Sequence, residues 1–149
     1  MTTWPGAVLF DMDGTLLESH ANVERAWTSW AISRGLDPVS VLAEAHGLPA
    51  DVTVARWLPG ADDDAIAAAA AEQLAIQYDD VTGITPIEGV PELLAFLTDA
   101  AVPWAVHTSA DARLAQVRLD AAGIKPPVLV TRDQIDRGKP APDGYLRAA

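Results

Sequence analysis

Three short runs of unbroken apolar residues, each ending in a polar tip, punctuate the chain. Ala7-Val8-Leu9-Phe10 runs into Asp11-Met12-Asp13-Gly14, Pro103-Trp104-Ala105-Val106-His107 into Thr108-Ser109, and Pro127-Val128-Leu129-Val130 into Thr131-Arg132-Asp133. Runs this short and without polar alternation are the pattern of buried strands in a parallel sheet. The second and third are preceded by stretches of helical pattern. One covers 89–100, with Pro91 in its first turn and Leu93, Leu94 and Leu97 as an apolar stripe; the other covers 110–122 and is closed by Gly123. Strand, helix, strand, helix, strand is the order of a parallel α/β sheet. The polar tips then lie at the C-terminal ends of the strands, where open α/β sheets bind their ligands.

Between the first strand and the second lies more chain than a crossover needs. Asp13 and Thr108 are 95 residues apart, whereas a whole strand-helix-strand unit takes about 30, so about 60 residues are surplus. The surplus is helical in pattern: Val23, Ala26, Trp27, Trp30 and Ala31 share one face, a short helix follows Pro38, and another spans Val52 to Trp57. Asp62-Asp63-Asp64 then caps an alanine-rich run that ends at Tyr78. The alanines 65–71 keep helical register with Ile66, Leu74 and Ile76, and read as scaffold. The acidic triplet reads as an N-cap and dipole partner, not as a metal site. The expected division is an α/β core over 1–17 and 85–149, interrupted by a helical cap over 18–84. Leaving the sheet from its ligand-binding edge, the cap can act as a lid. No internal repeat is present.

Half of the 149 residues are hydrophobic and 6% aromatic, which fits a folded domain and excludes disorder at this charge. The balance of 10 Lys+Arg against 21 Asp+Glu gives a net charge of −11. That field argues against nucleic acid or an anionic membrane as the main partner, and any phosphate must be met by local groups. The absence of cysteine excludes disulfides, zinc-thiolate sites and thiol nucleophiles. The N-terminal residues have no basic n-region, and their apolar run breaks at Asp11, so they read as neither signal peptide nor membrane span and a cytoplasmic location is expected.

Three segments carry the candidate chemistry. Asp11 and Asp13, two apart after a strand, put two carboxylates at the sheet's ligand edge, and Gly14 permits the tight turn beside them. Such a pair can divide labour: one attacks phosphorus while the other moves a proton, with a magnesium ion managing the repulsion of an incoming phosphate. A plain polar loop is the competing reading. An EF-hand fails, because its third acid would fall on Thr15 and its closing Glu on Asn22. Thr108-Ser109 offers hydroxyls and backbone N–H groups as an anion cradle before a helix, although Ser and Thr are also ordinary N-caps. Arg137-Gly138-Lys139-Pro140-Ala141-Pro142-Asp143 is not a Walker A loop, since Pro140 replaces the metal-binding hydroxyl and Asp133 the first Gly. The chain has eight arginines but two lysines, Lys125 and Lys139. A lysine in a Gly/Pro-rigid loop after a strand is therefore a candidate to neutralise a phosphate and orient the attacking carboxylate.

Taken together, Phe10-Asp11-Met12-Asp13-Gly14-Thr15, the strand ending in Thr108, and Gly138-Lys139-Pro140-Ala141-Pro142-Asp143-Gly144-Tyr145-Leu146 resemble the first three motifs of haloacid dehalogenase-superfamily phosphohydrolases with a helical cap. The third has the form found among sugar-phosphate phosphatases and β-phosphoglucomutase-like members. The resemblance covers essentially the whole chain and implies a Rossmann-like, three-layer core. It implies Asp11 as the nucleophile that becomes an aspartyl phosphate and as a magnesium ligand. Asp13 is implied as general acid/base, its main-chain carbonyl also reaching Mg²⁺; Thr108, Ser109 and Lys139 would hold the phosphoryl group. An acid at position 13 favours phosphoryl transfer over dehalogenase or phosphonatase chemistry. Mutase members usually carry a histidine near the position of Val23, which favours hydrolysis here. The implied substrate is a small phosphorylated sugar or polyol. His46 is a candidate substrate contact, although a helix-end histidine is more often structural, and His20, His107 and Arg56 read as structural in the same way.

The family's fourth motif, a pair of acids after a further strand, is absent from the ten residues after Lys139. Its absence would weaken magnesium binding, because Mg²⁺ demands a nearly complete octahedral shell. It would also leave the core incomplete at its C-terminal side and the strand at Val8 to Phe10 at an open edge, a surface that invites self-association. The chain is accordingly expected to be part of a longer protein. Two alternatives to the phosphatase stay open: a catalytically impaired fragment lacking the fourth motif, and a β-phosphoglucomutase-like phosphomutase.

Overall fold

The computed structural model describes residues 6–45 and 48–149. The chain divides into two compact units, Met1–Ser19 with Ile84–Ala149, and His20–Gly83; the sequence pattern places the cuts at 17/18 and 84/85.

In the first unit, β1 (Val8–Phe10), β4 (Trp104–His107) and β5 (Leu129–Val130) form a parallel sheet of order β1-β4-β5. Val8, Leu9 and Phe10 align with Trp104, Ala105 and Val106, and Val106 and His107 with Leu129 and Val130. All four β4 residues are buried. Successive strand side chains point to opposite faces. Trp104 and Val106 accordingly enter a core with Leu94 and Leu97 of α5 (Val90–Asp99) and Ala115, Leu119 and Ala122 of α6 (Ala112–Ala122). His107 turns the other way, edge-on to Tyr145 of α7 (Asp143–Ala148) at 4.9 Å. Helices on both faces of a parallel sheet make the three layers of an α/β fold. Full burial of side chains such as Val106 and Leu119 stabilises this core by about 1.5–3 kcal/mol each.

The strand at Val8 to Phe10 is half-buried, with β4 its one neighbour among the described residues, as expected of a strand at an open edge. One local expectation needs correction. The helix expected from 110 starts at Ala112, because the Asp111 carboxylate accepts from Leu114 N–H at 2.8 Å and is the N-cap. A two-residue antiparallel ribbon, β2 (Leu17–Glu18) with β3 (Thr85–Pro86), joins the stems of the inserted segment. Strands this short leave no periodic signal.

The second unit consists of α1 (His20–Ser33), α2 (Pro38–Ala45), α3 (Ala50–Trp57) and α4 (Asp63–Asp79). Trp27 and Trp30 meet edge-on at 5.3 Å within a core that includes Ala31, Val41, Val54, Ala69 and Ala70. The Trp30 indole donates to the Ala69 carbonyl at 3.0 Å, a backbone approach that the small alanine side chains permit. Asp62 caps α4 by accepting from Ala65 N–H. Arg25 donates to Asp80 Oδ2 at 2.7 Å and to the Thr82 carbonyl at 2.6 Å, tying α1 to the chain that leaves α4. The bond from Arg25, followed by one from the Thr82 backbone, lowers the Asp80 carboxyl to about 2.

Candidate active site

The end of β1 builds the first part of the site. Met12 is fully buried in the core, so its neighbours Asp11 and Asp13 project away from it. Beyond them the backbone turns sharply: Gly14 sits at φ +72°, where other residues are strained, and the Met12 carbonyl accepts from Leu16 N–H at 2.9 Å. Asp11 Oδ1 accepts from Met12 N–H at 2.7 Å and pairs with Lys139 Nζ at 2.6 Å. The same ammonium donates to the His107 carbonyl at 3.4 Å, which anchors the lysine across the tip of β4.

The loop carrying Lys139 is itself clamped. Arg137 grips Asp143 with two bonds, Nε to Oδ2 at 3.0 Å and Nη2 to Oδ1 at 2.8 Å. This pairing holds the Asp143 carboxyl below the usual carboxylate range and raises Arg137. Behind the loop, α7 lies against the buried His107 ring, whose Nδ1 is 3.1 Å from the Val130 carbonyl. A Cβ on Gly144 would stand 2.1 Å from His107 Cε1. Gly144→Ala is therefore expected to cost about 1–3 kcal/mol through overpacking, visible as a lowered Tm in a calorimetric melt. Gly6→Ala, where a Cβ has open space, serves as the control and should leave Tm nearly unchanged.

Asp13 has two partners of its own. Its Oδ1 accepts from Ser19 Oγ at 2.6 Å and from Arg118 Nη1 at 2.9 Å. The sequence reading missed both. A signal for Arg118 existed: it lies in register with Leu114, Ala115, Leu119 and Ala122, the buried stripe of α6, where a charge is out of place unless paired.

Thr108 and Ser109 behave differently from the expectation for a helix-opening cradle. The buried Thr108 uses its Oγ1 to accept from Ala110 N–H at 3.1 Å, and its own N–H is bonded to the Val130 carbonyl. Ser109 is half-buried. No hydrogen bond or ion pair joins either residue to Asp11, Asp13 or Lys139 among the described residues; the strand register brings them to the same sheet edge. His46 lies outside the described residues. His20 lies 3.8 Å from Glu24, and Arg56 4.0 Å from Glu44.

Among the described residues no three or more Asp, Glu or His side chains gather as a metal site. Asp11 and the Asp13 main chain offer two hard oxygen donors, and Asp11 Oδ1 is already held by an ammonium. A near-octahedral Mg²⁺ shell asks for about six, so the described residues do not by themselves fit the ion. No helix of the described residues is long and apolar enough to cross a membrane.

The chain is 42% identical to hexitol phosphatase A of Escherichia coli (strain K12), over 95% of its own length and 66% of that protein's. It is 32% identical to 2-deoxyglucose-6-phosphate phosphatase 1 of Saccharomyces cerevisiae, over 94% of its own length and 61% of that protein's. The chain thus spans slightly under two thirds of the length of these relatives. Among solved structures, a putative β-phosphoglucomutase from Thermotoga maritima superposes with a TM-score of 0.67 at 26% identity, covering 97% of this chain and 69% of that one. The family model for haloacid dehalogenase-like hydrolases matches residues 5–149, a span that contains the strand-tip acids and the lysine loop, and the chain belongs to that family.

Proposed function

We propose that the protein hydrolyses a small phosphorylated sugar or polyol through an aspartyl phosphate. The observation that carries this reading is the 2.6 Å pair of Asp11 and Lys139 at the strand tips, with a second carboxylate two residues on. The names of the relatives, a hexitol phosphatase and a deoxyglucose-phosphate phosphatase, support the substrate class.

In this reading Asp11 attacks phosphorus. The bond from its oxygen to phosphorus forms as the ester P–O bond breaks, and Asp13 gives its proton to the leaving alcohol. Water then attacks the aspartyl phosphate, Asp13 takes the proton back, and Asp11 is released. Lys139 holds Asp11 before the reaction and meets the phosphoryl charge during it. Thr108 and Ser109, at the neighbouring strand tip, contribute to the phosphate pocket. Magnesium is the cofactor proposed for this reading: Asp11 and the Asp13 carbonyl would supply two of its contacts, and the rest would come from water, the substrate phosphate or residues outside those described; no step above depends on it.

The test is phosphate release from a panel of hexitol, deoxyhexose and hexose phosphates. Turnover that yields the free alcohol, is lost with EDTA and returns with Mg²⁺ is the expected result. Two observations favour other outcomes. The incomplete set of metal donors favours a domain that binds phosphate without turnover, which metal-dependent release by the 149-residue chain would eliminate. The likeness to a putative β-phosphoglucomutase favours a mutase, for which a bisphosphate intermediate and an isomerised product would be found.

A further inference from the structure

Arg118 is 4% exposed on the apolar stripe of α6, and its guanidinium reaches a carboxylate 105 residues away in sequence. An unbranched apolar residue of similar length would fill this space without desolvating a charge, although replacing Arg118 alone would leave the Asp13 carboxylate without this partner. Packing therefore does not account for an arginine here. What the arginine provides is a second donor on Asp13 Oδ1, beside Ser19 Oγ.

Two donors on one oxygen have a chemical consequence. They leave no room for a proton on Oδ1, so the proton that the acid carries sits on Oδ2, and they fix the plane of the carboxyl group. We infer that Arg118 is a positioning residue: with Ser19 it holds Asp13 so that Oδ2 alone faces the leaving group. This role rests on the phosphatase reading above. In the first half-reaction the Oδ2 proton passes to the ester oxygen as the P–O bond breaks. In the second, Oδ2 accepts a proton from water as water's oxygen bonds to phosphorus and the aspartyl bond breaks.

The leaving group separates this role from a structural one. An alkoxide leaves poorly without a proton, whereas p-nitrophenolate leaves readily, and kcat/KM reports the steps up to that departure. With Arg118→Met, kcat/KM for a hexitol phosphate is expected to fall about 100-fold, the lower range for general acid catalysis. For p-nitrophenyl phosphate the fall should be several-fold at most. Arg118→Lys, which keeps the charge, should recover part of the loss on the hexitol phosphate. Ser19→Ala should change the ratio of the two substrates in the same direction by a smaller factor, and it keeps the test decisive if Arg118→Met fails to fold by circular dichroism. Equal losses on both substrates, or an unchanged ratio in a folded variant, overturn the assignment of Arg118 while leaving the phosphatase reading intact. A wild-type protein that releases phosphate from neither substrate overturns both.

Discussion

Asp11→Asn is expected to lower kcat for phosphate release by about 10⁴-fold or more, the scale on which the loss of a covalent nucleophile acts, equivalent to about 5.5 kcal/mol of barrier. The amide keeps the size of the side chain and one oxygen, so Met12 N–H retains its acceptor, but the amide lacks the charge and nucleophilicity to form an acyl phosphate. Acid quenching of the wild-type protein during turnover of a substrate labelled in its phosphoryl group should leave label on the chain, and the Asn variant should hold none. Labelling of the variant at the wild-type level would move the nucleophile elsewhere. The fold should survive. Asp11 is 39% exposed in its side chain and its partner Lys139 25%, and solvent-screened pairs of this kind contribute about 0–1 kcal/mol.

Lys139→Met carries the second large effect. Its ammonium lies 2.6 Å from Asp11 and also reaches the His107 carbonyl, so it is fixed between two strand tips before any phosphate arrives. A positive charge held in place needs no reorganisation as charge develops on the phosphoryl oxygens, and removing one such group costs about 10²–10³-fold in kcat. The Met variant should show that loss together with weaker competitive inhibition by inorganic phosphate. Its Tm should move little, for the same reason of screening. Lys139→Arg should recover little, because the planar guanidinium presents its charge over a fork and cannot replace a compact ammonium in the same space. Full activity in the Met variant would remove Lys139 from the site.

The elements that sequence revealed best were those with a strong local cause. The three apolar runs gave the strands at nearly their observed positions, and Pro91 and Gly123 bracketed helices whose limits differ from the expected ones by one or two residues. The carboxylate pair was evident from its place after a strand, and Lys139 from its rarity and its rigid loop. Local pattern misjudged the start of α6, because Thr108, Ser109 and Asp111 all have oxygens that can cap. Only the geometry decides that Asp111 takes Leu114 N–H while Thr108 is spent on Ala110.

The sequence by itself determined the α/β order, the inserted helical segment and the residue types able to transfer a phosphoryl group. Each of these follows from periodicity or from chemistry carried on adjacent residues. Tertiary structure alone decided the 2.6 Å contact geometry of Lys139 with Asp11, the meeting of Arg118 with Asp13 across 105 positions, and the Gly144 backbone against the His107 ring. The physical reason is common to all of them. Side-chain pairing at a sheet edge depends on strand order and register, which arise from the packing of distant segments and leave no repeating signature in the segments themselves.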